Sequence, residues 1–441
     1  MSYITPRTDP HRAPTTPAQR RDWRAHHARP DNAFMNLSAA FTLHGALDEP
    51  ALARAVDQLV ARHDALRTVF RMHQGEVWQH IRPANSSGLP ALTVEVDPTD
   101  TDREWLAGVA DRSFDLSTAP PARFALLRSS TSRRQLCVVL HHIISDQTSL
   151  RVALRDLAAL YAAEAEARPA RLPELTVQFP DYAHWWHRKW HAGDFSGNVD
   201  HWGRYLADAP TKTPLPVQPS ADRHALTYAT PVPQHLADQL AGAAAKRRTT
   251  PYVVLLSAFS GALADLTGAD EHLIECGYAN RLSAPLREGI GRFSNNLVMR
   301  LPAAPASRPQ DHLASTHRAA MTAFAHARVS LDAVNEAAVL ERQFIPNPDT
   351  AVAFQLIDGV SNLLPLPDVS VAPHATTAGT VLDLLSVLIE RNDHSLTLRA
   401  TYCPSVLATE WVRDLARRFL TRLELILPTT PRPDRQTAVT P

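Results

Sequence analysis

Apolar residues recur along the chain at two spacings, which predict two kinds of element. A recurrence every three or four residues is typical of an amphipathic helix, whereas short continuous or alternating apolar runs are typical of strands. Asp48 and Thr250 stand where helix N-caps are expected. Thr148 or Ser149 can cap a further helix, which follows the apolar stretch at 135–144. The pattern predicts helices at 47–70, 249–268 and 408–427, and strands at 37–45, 75–81, 123–130, 135–144, 272–280, 349–357, 381–390 and 397–402.

The two halves of the chain show the same alternation of strands and helices. A stretch rich in proline and charge, at 166–180, separates them and is the best candidate for a linker. We therefore expect an α/β (α+β) fold with two lobes, one formed by residues 1–175 and the other by residues 176–441. A ligand site is expected in the cleft between the lobes, because pockets form preferentially at such junctions.

Charge and cysteine content narrow the class of protein. The 441 residues carry 45 basic and 45 acidic side chains, which argues against a partner bound through bulk charge, such as a nucleic acid or a membrane surface. Cys137, Cys276 and Cys403 are far apart and form no CxxC pair, so a reducing compartment is expected. The N-terminus has no apolar core of a signal peptide. A cytoplasmic location is the prediction.

The segment "LHHIISDQTSL" at 140–150 is the strongest candidate for chemistry. Neighbouring side chains on a strand point to opposite faces, so His141 and His142 cannot both hold one metal ion unless the strand has ended. One histidine is expected to pack into the lobe and the other to face the cleft, where a neutral imidazole can take a proton from a nucleophile. Asp146 can fold back to orient the loop. Two structural histidines at a strand end are the alternative, and the spacing alone leaves it open.

A second cluster of histidines lies at 181–194, "DYAHWWHRKWHAGD". His184, His187 and His191 share one helical face, and Asp181 and Asp194 flank them, which invites interpretation as a metal site. The cluster lacks the HExxH pattern with its built-in general base, and its three tryptophans favour a packing helix. No metal site is therefore expected. The phosphate-binding GxxxxGK and the hydrolase GxSxG patterns are both absent from the sequence.

HHxxxD after a buried strand resembles the HHxxxDG motif of the condensation domains of nonribosomal peptide synthetases. Further segments of the chain resemble other elements of that family. The resemblance runs from about Thr16 to the C-terminal helix. The segments are "TPAQRRDW" (16–23), "ARHDALRTVF" (61–70), "FPDYAHWW" (179–186), "YANR" (278–281) and "IGRFSNNLVMRL" (290–301).

The resemblance implies a fold, a partner and roles for named residues. The fold would be a V-shaped pair of pseudo-symmetric lobes, each like chloramphenicol acetyltransferase, with a tunnel between them. An acyl or peptidyl carrier protein acting in trans would bring the acyl group on its own phosphopantetheine arm, so the enzyme needs no cofactor of its own. His142 would be the catalytic histidine and His141 its packed neighbour. Asp146 would be structural, with Arg281 as its ion-pair partner. The residues expected at the substrate tunnel are Gln147, Ser149, Asn295 and Asn296.

The sequence also departs from the family's pattern. Gln147 replaces the glycine of the motif and Asn296 replaces a threonine, which we interpret as altered substrate selection because His142 and Asp146 are intact. The expected function is that of a free-standing acyltransferase, which joins a carrier-tethered acyl group to a small amine or alcohol in natural-product biosynthesis. The alternatives are a non-catalytic recruitment module of the same fold and a small-molecule or lipid acyltransferase that uses coenzyme A. The sequence specifies neither the donor nor the acceptor.

Overall fold

The computed structural model describes most of the chain. It covers residues 4–29, 33–96, 102–129, 133–210, 213–220, 222, 224–281, 283–303, 306–337, 351–360, 362–374, 383–393 and 395–427. Within these ranges the chain forms three β-sheets and the helices that pack on them.

Fourteen strands lie in the described part of the chain. In chain order, β1 to β14 are Arg12–Pro14, Asn36–Gly45, Thr68–His73, Glu76–Ile81, Leu92–Val96, Ala122–Arg128, Arg133–His141, Leu226–Pro231, Glu271–Tyr278, Asn295–Pro302, Val352–Asp358, Val369–His374, Leu385–Asn392 and Ser395–Tyr402.

Twelve α-helices accompany them in the same described ranges. In chain order, α1 to α12 are Pro17–Ala28, Glu49–Arg62, Asp102–Ala110, Gln147–Ala165, Phe179–His191, Ser196–Leu206, Gln234–Lys246, Pro251–Thr267, Ala284–Arg287, Pro309–Ala325, Leu331–Glu336 and Thr409–Ile426.

The N-terminal lobe is built on a five-stranded sheet with the order β12-β2-β7-β6-β5. Its central strand β7 is buried along almost its whole length, as its apolar sequence predicts. Helices α2 and α4 cover one face of the sheet and supply much of the core, while α3 covers the other face. A smaller sheet of β1, β4 and β3 adjoins this lobe.

The C-terminal lobe contains a six-stranded sheet with the order β10-β9-β11-β13-β14-β8. Helix α8 is buried against it along one side, and α10 and α12 pack on α8. The two-lobe architecture confirms the expected fold class. Among the described residues no single helix is long and apolar enough to cross a membrane; α7 and α8 together reach the required length and composition, but they are bent by 109° at their break.

One strand of the C-terminal half belongs to the sheet of the N-terminal lobe. Strand β12 pairs antiparallel with β2, from Val369 opposite Gly45 to His374 opposite Ala40. Gly45 has a φ of +128°, and a Cβ there would lie 2.4 Å from the carbonyl oxygen of Asp368, so the close approach of the two strands requires glycine. The lobe boundary at residues 175 and 176 stays a prediction, but the chain crosses back over it at β12.

Two local predictions were wrong. The helix expected at 47–70 ends at Arg62, because the backbone of His63 is extended and a 3-10 turn at Asp64–Arg67 then leads into β3. The N-cap of α4 is Asp146, not Thr148 or Ser149, since the Asp146 carboxylate accepts the N–H of Ser149 at 2.8 Å. The predicted caps Asp48 and Thr250 are confirmed.

Candidate active site

His141 and His142 belong to different elements, because strand β7 ends between them. His141 is the last residue of the strand, and His142 begins a 3-10 turn at His142–Ile144 that leads to α4. The backbone N–H of His142 donates to the carbonyl of Met35 at 2.7 Å, which fixes the start of the turn against the residue that precedes β2. The turn therefore lets two adjacent side chains serve different environments.

The His141 ring is buried inside the N-terminal lobe. Its Nδ1 accepts the N–H of Ile143 at 3.1 Å, and its edge contacts the rings of His26 and Phe114. Burial lowers the pKa of His141 to about 3, so the ring is neutral at physiological pH. These contacts are those of a packing side chain that caps the turn.

The His142 ring is held in one tautomer and remains partly exposed. Its Nδ1 lies 2.7 Å from the carbonyl oxygen of Ser145, and a carbonyl only accepts, so Nδ1 carries the proton. The lone pair is then on Nε2, which has no hydrogen-bond partner in the part of the chain that the structure describes. Burial, aided by the positive charge of Arg292, lowers the pKa of His142 to about 4. A neutral base with an open Nε2 is therefore present at pH 7.

Asp146 joins the histidine turn to the C-terminal lobe through both carboxylate oxygens. Its Oδ1 accepts Nη2 of Arg281 at 2.9 Å, and its Oδ2 accepts the backbone N–H groups of Phe293 and Ser294, both at 3.1 Å. These charge-assisted bonds lower the pKa of Asp146 despite the burial that opposes them. The carboxylate both caps α4 and bonds to the other lobe. Asp146 therefore holds the turn in place, and its oxygens are not directed at a substrate.

Arg281 and Ser149 complete this contact between the lobes. Nη1 of Arg281 donates to the carbonyls of Leu286 and Gly289, and its guanidinium stands over the Phe293 ring, with Cζ 4.3 Å from the centroid. Oγ of Ser149 accepts Nη2 of Arg281 at 2.8 Å and the N–H of Gly291 at 3.0 Å.

Gly291 sits where no side chain fits. A Cβ there would lie 2.2 Å from the ring of Phe179, so the backbone of this loop can approach Ser149 and Asp146 only with glycine at that position. The glycine of "IGRF" thus lets one lobe bond to the other through its backbone.

The four residues expected at the substrate tunnel fall into two groups. Ser149 is fully buried in the contact between the lobes, and Asn295 is 7% exposed and donates Nδ2 to the carbonyl of Ala327 at 2.7 Å. Gln147, the first residue of α4, and Asn296 on β10 are both partly exposed. Gln147 and Asn296 are therefore the two residues of this set whose side chains have surface available to a ligand. That any of the four residues lines a tunnel stays a prediction.

Asp22 and Arg292 are charged neighbours of His142 that no motif of the sequence identifies as functional. Nε of Arg292 donates to Oδ2 of Asp22 at 3.0 Å, and the two side chains are 1% and 0% exposed. Asp22 also accepts Arg21 at 2.8 Å, and its negative charge raises the pKa of His142 against the lowering by burial. Asp22 lies in the segment 16–23 and Arg292 in the segment 290–301, and both segments resemble elements of the condensation domains. That resemblance is the signal by which the sequence could have identified the two residues.

The segment "TPAQ" positions α1 beside the site. Thr16 and Gln19 form a capping box, in which each side chain accepts the backbone N–H of the other. Nε2 of Gln19 is then free to donate to the carbonyl of Ile143 at 3.0 Å in the histidine turn. This helix start is therefore bonded directly to the turn that carries His142.

The histidine cluster on α5 forms a pair and not a closed ligand set. Nε2 of His187 lies 3.1 Å from Nε2 of His191, while Asp181 bonds to Arg7 and caps the helix start. Within the described ranges, no group of three or more histidine, cysteine or acidic side chains is arranged to hold a metal ion. The helix packs Trp186 and Tyr182 into the lobe.

Known proteins of one family match almost the entire chain. A family model described as "Condensation domain" matches residues 10–441. Chondramide synthase of Chondromyces crocatus is 30% identical over 386 residues, which is 85% of this chain and 10% of that protein. Phosphinothricin tripeptide synthetase PhsC of Streptomyces viridochromogenes is 30% identical over 355 residues, 78% of this chain and 33% of that protein. The chain thus spans a small part of the length of these relatives.

Solved structures share the fold. The X-domain from teicoplanin biosynthesis superimposes with a TM-score of 0.82 at 25% identity, over 96% of this chain and 97% of that one. The first condensation domain of the calcium-dependent antibiotic synthetase, in complex with a substrate analogue, gives a TM-score of 0.78 at 18% identity over 94% of this chain and 97% of that one.

Proposed function

Because this chain belongs to the condensation-domain family of nonribosomal peptide synthetases, we propose that it transfers an acyl group from a carrier-protein thioester to a small amine or alcohol. The observation that carries the proposal is the His142 ring, with Nδ1–H donated to Ser145 and Nε2 left open. The proposed product is an amide or an ester, and the proposed setting is natural-product biosynthesis.

In the proposed reaction, the acceptor nitrogen or oxygen attacks the thioester carbonyl. Nε2 of His142 accepts the proton that the acceptor loses, and the carbon–sulfur bond breaks as the tetrahedral intermediate collapses. The proton then leaves with the phosphopantetheine thiol, so that His142 returns to its neutral form. A general base of this kind typically contributes about 10²–10⁴-fold to the rate. The ring is neutral at pH 7, so the lone pair on Nε2 is available to accept this proton.

The donor is proposed to arrive on a separate carrier protein, acyl or peptidyl, whose phosphopantetheine arm supplies the thioester. The family assignment supports a carrier-bound donor, since the matching relatives are peptide synthases and synthetases, and the separate carrier is part of the proposal. A coenzyme A thioester is the competing donor. Rates of product formation with the same acyl group on a carrier protein and on coenzyme A distinguish the two.

A second candidate function is a non-catalytic recruitment module. It is favoured by the similarity to the X-domain, one structure of which is the complex of that domain with OxyB. The intact His142 with an open Nε2 favours catalysis, because a purely docking role needs no base.

Product formation from an acyl-carrier thioester and a panel of amines and alcohols tests the proposal. Wild-type protein should form an amide or ester, detected by mass spectrometry, and His142→Gln should form it about 10²–10⁴-fold more slowly, since glutamine has no basic nitrogen. Turnover by wild type that the variant retains in full excludes the role of His142. No turnover with any carrier thioester, combined with tight binding of a partner protein, favours the recruitment module.

A further inference from the structure

Helix α1 packs directly on the histidine turn. Nε2 of Gln19 donates to a carbonyl of the turn at 3.0 Å, and the ring of His26 contacts the ring of His141, with centroids 5.2 Å apart. Asp22 lies three residues after Gln19 and four before His26, so it shares their helix face and stands between them. These contacts place the Asp22 carboxylate against the turn at the level of His142.

The loop before β10 brings Arg292 to the same place from the other lobe. Nε of Arg292 donates to Oδ2 of Asp22 at 3.0 Å. The next two backbone N–H groups of the chain donate to Asp146, the cap of α4, both at 3.1 Å. Arg292 thus bridges α1 and the start of α4, the two helices that adjoin the turn of His142, and its charge acts on that ring.

The ion pair of Asp22 and Arg292 is fully enclosed, and one of its donors is unused. The side chains are 0% and 1% exposed. Nη1 of Arg292 donates to the carbonyl of Ser294, but its Nη2 is buried without a partner in the part of the chain that the structure describes. Buried charges lose their hydration, and attraction within a pair offsets that loss only where the remaining donors are satisfied. Stability is therefore a poor explanation for this pair, and its place beside a base points to an electrostatic role.

The two members of the pair act on the ring in opposite directions. Asp22 accepts Nη2 of Arg21 at 2.8 Å in addition to Arg292, and although burial raises its pKa, these two cations bring the pKa below its ordinary value. Asp22 is thus a fixed carboxylate. Burial is the main cause of the lowered pKa of His142; the charge of Arg292 lowers that pKa further, and the charge of Asp22 opposes the lowering.

Other titratable and charged groups also face the ring or its turn. The two histidines among them are neutral at pH 7, because burial lowers the pKa of each. The acid and one arginine are paired with each other, and the second arginine is bonded to Asp22. These groups are His26 and Arg21 on α1, His141 beside the ring, and Asp146 with Arg281.

We propose that Asp22 and Arg292 are positioning residues that act on the reaction through His142. Arg292 keeps the ring uncharged until the acceptor attacks the thioester, and the fixed carboxylate of Asp22 stabilises the imidazolium that forms when Nε2 accepts the proton. The proton leaves with the thiol, and both members of the pair keep their charges throughout. This inference rests on the proposed function, because it assigns the pair to the base of that reaction.

An NMR titration of His142 tests the inference without donor or acceptor. The full chain carries ¹⁵N-labelled histidine, and the signals of His142 are assigned by their absence from His142→Gln. We expect Asp22→Asn to lower the pKa of His142 and Arg292→Gln to raise it, each by about half a pH unit or more. Arg292→Lys retains the charge and should keep the wild-type value. Arg300→Gln is the matched control, since Arg300 lies on β10, just after the loop, and is paired with Glu271.

A kinetic readout separates an electrostatic role from a purely structural one. With a carrier thioester, kcat of Asp22→Asn should fall about tenfold while KM stays within about twofold, because the carboxylate stabilises only the imidazolium that forms during the reaction. Circular dichroism melting curves establish that the variants are folded at the temperature of the assay. If Arg292→Gln does not fold, Asp22→Asn decides alone, since asparagine has the same shape and keeps an acceptor oxygen for the arginines.

The outcomes distinguish this inference from the proposed function. Opposite shifts of the His142 pKa in Asp22→Asn and Arg292→Gln support the pair. An unchanged pKa in Asp22→Asn, or shifts of the same sign in both variants, overturns it, even if acyl transfer by the wild type is observed. Opposite shifts without acyl transfer by the wild type leave the electrostatic pair in place, in which case the proposed function alone fails.

Discussion

Arg281 of the C-terminal lobe and Asp146 of the N-terminal lobe form a buried ion pair, with Nη2 2.9 Å from Oδ1 and side chains that are 4% and 3% exposed. The same carboxylate caps α4, the helix that follows the histidine turn. The position of His142 relative to the other lobe therefore depends on a bond between the lobes.

The first prediction concerns this pair. Asp146→Ala or Arg281→Ala leaves the other charge buried and uncompensated, at a cost of about 3–5 kcal/mol. The double variant should cost less than the sum of the two, as chemical denaturation of all four proteins will measure. Strictly additive losses would show that the pair is not coupled in solution.

The second prediction concerns His142. His142→Ala should lower turnover by about 10²–10⁴-fold, because it removes the open Nε2 base. Its melting temperature should stay close to that of the wild type, since the ring is partly exposed and its hydrogen bond is a local one to Ser145. Steady-state kinetics with a carrier thioester measure the first effect.

His141→Ala serves as the contrasting variant. It removes the buried acceptor of the Ile143 N–H and the ring packed against His26, so a loss of about 1–3 kcal/mol in the free energy of unfolding is expected. If His141→Ala were the inactive but stable variant and His142→Ala the unstable one, the roles of the two histidines would be reversed.

The third prediction is the pH dependence of turnover. Burial lowers the pKa of His142 from 6.5 to about 4, so the base stays neutral as pH falls from 8 to 5.5. The acid limb assigned to His142 should therefore lie near pH 4 and not near 6.5. Between pH 4 and pH 6.5 the unfolded state binds more protons at His142 than the folded state does, because the folded pKa is the lower one. The contribution of His142 to the free energy of unfolding is therefore fully present above pH 6.5 and is lost as the pH falls toward 4. Unfolding of His142→Ala should accordingly respond less to pH in that range than unfolding of the wild type.

The fourth prediction concerns Gln147. The side chain is partly exposed at the first position of α4, next to the Asp146 cap, and the tunnel role predicted for it would bring it into contact with the acceptor. Gln147→Gly should change the ratio of kcat/KM between acceptors by an amount worth about 1–3 kcal/mol, while the rate with one preferred pair changes less. Competition experiments with mixed amines and alcohols measure the ratio directly. Ratios that stay the same across the panel would place Gln147 outside the substrate path.

The fifth prediction concerns the donor. The chain carries no net charge, so we expect local patches of arginine, and not bulk charge, to steer the encounter with an acidic carrier protein. The encounter should weaken as salt shortens the Debye length to about 8–10 Å. Product formation with an acyl-carrier thioester should exceed that with the same acyl group on coenzyme A or a pantetheine mimic. The advantage should decrease with ionic strength. Equal rates with coenzyme A and no salt effect would favour the coenzyme A-dependent alternative.

The alternation of strands and helices was sufficient to predict an α/β fold with two lobes, and the period of two along a strand predicted that His141 and His142 face different surroundings. Which of the two rings packs inside was implied by the resemblance to the condensation domains and not by the spacing. Helix caps were less predictable: Thr148 and Ser149 have good capping side chains, but Asp146 is charged and sits one residue before the helix.

Ion pairs between residues that are far apart in the sequence could not be predicted from it. Asp22 and Arg292 are 270 positions apart, and each lies in a segment rich in other charged or polar residues. Only the folded chain shows that both are fully enclosed and adjoin His142.

The pairing of β12 with β2 restricts how the two lobes can move. A pair of lobes joined by a single linker can hinge about that one segment, whereas here the chain passes between the lobes at the linker and again on each side of β12. With the ladder from Val369 to His374 intact, β12 moves with the N-terminal lobe, so an opening of the lobes has to bend three connections at once and not one. Its range is therefore more restricted than that of a hinge about a single linker, and selection among substrates of similar size would fall to the side chains that line the site.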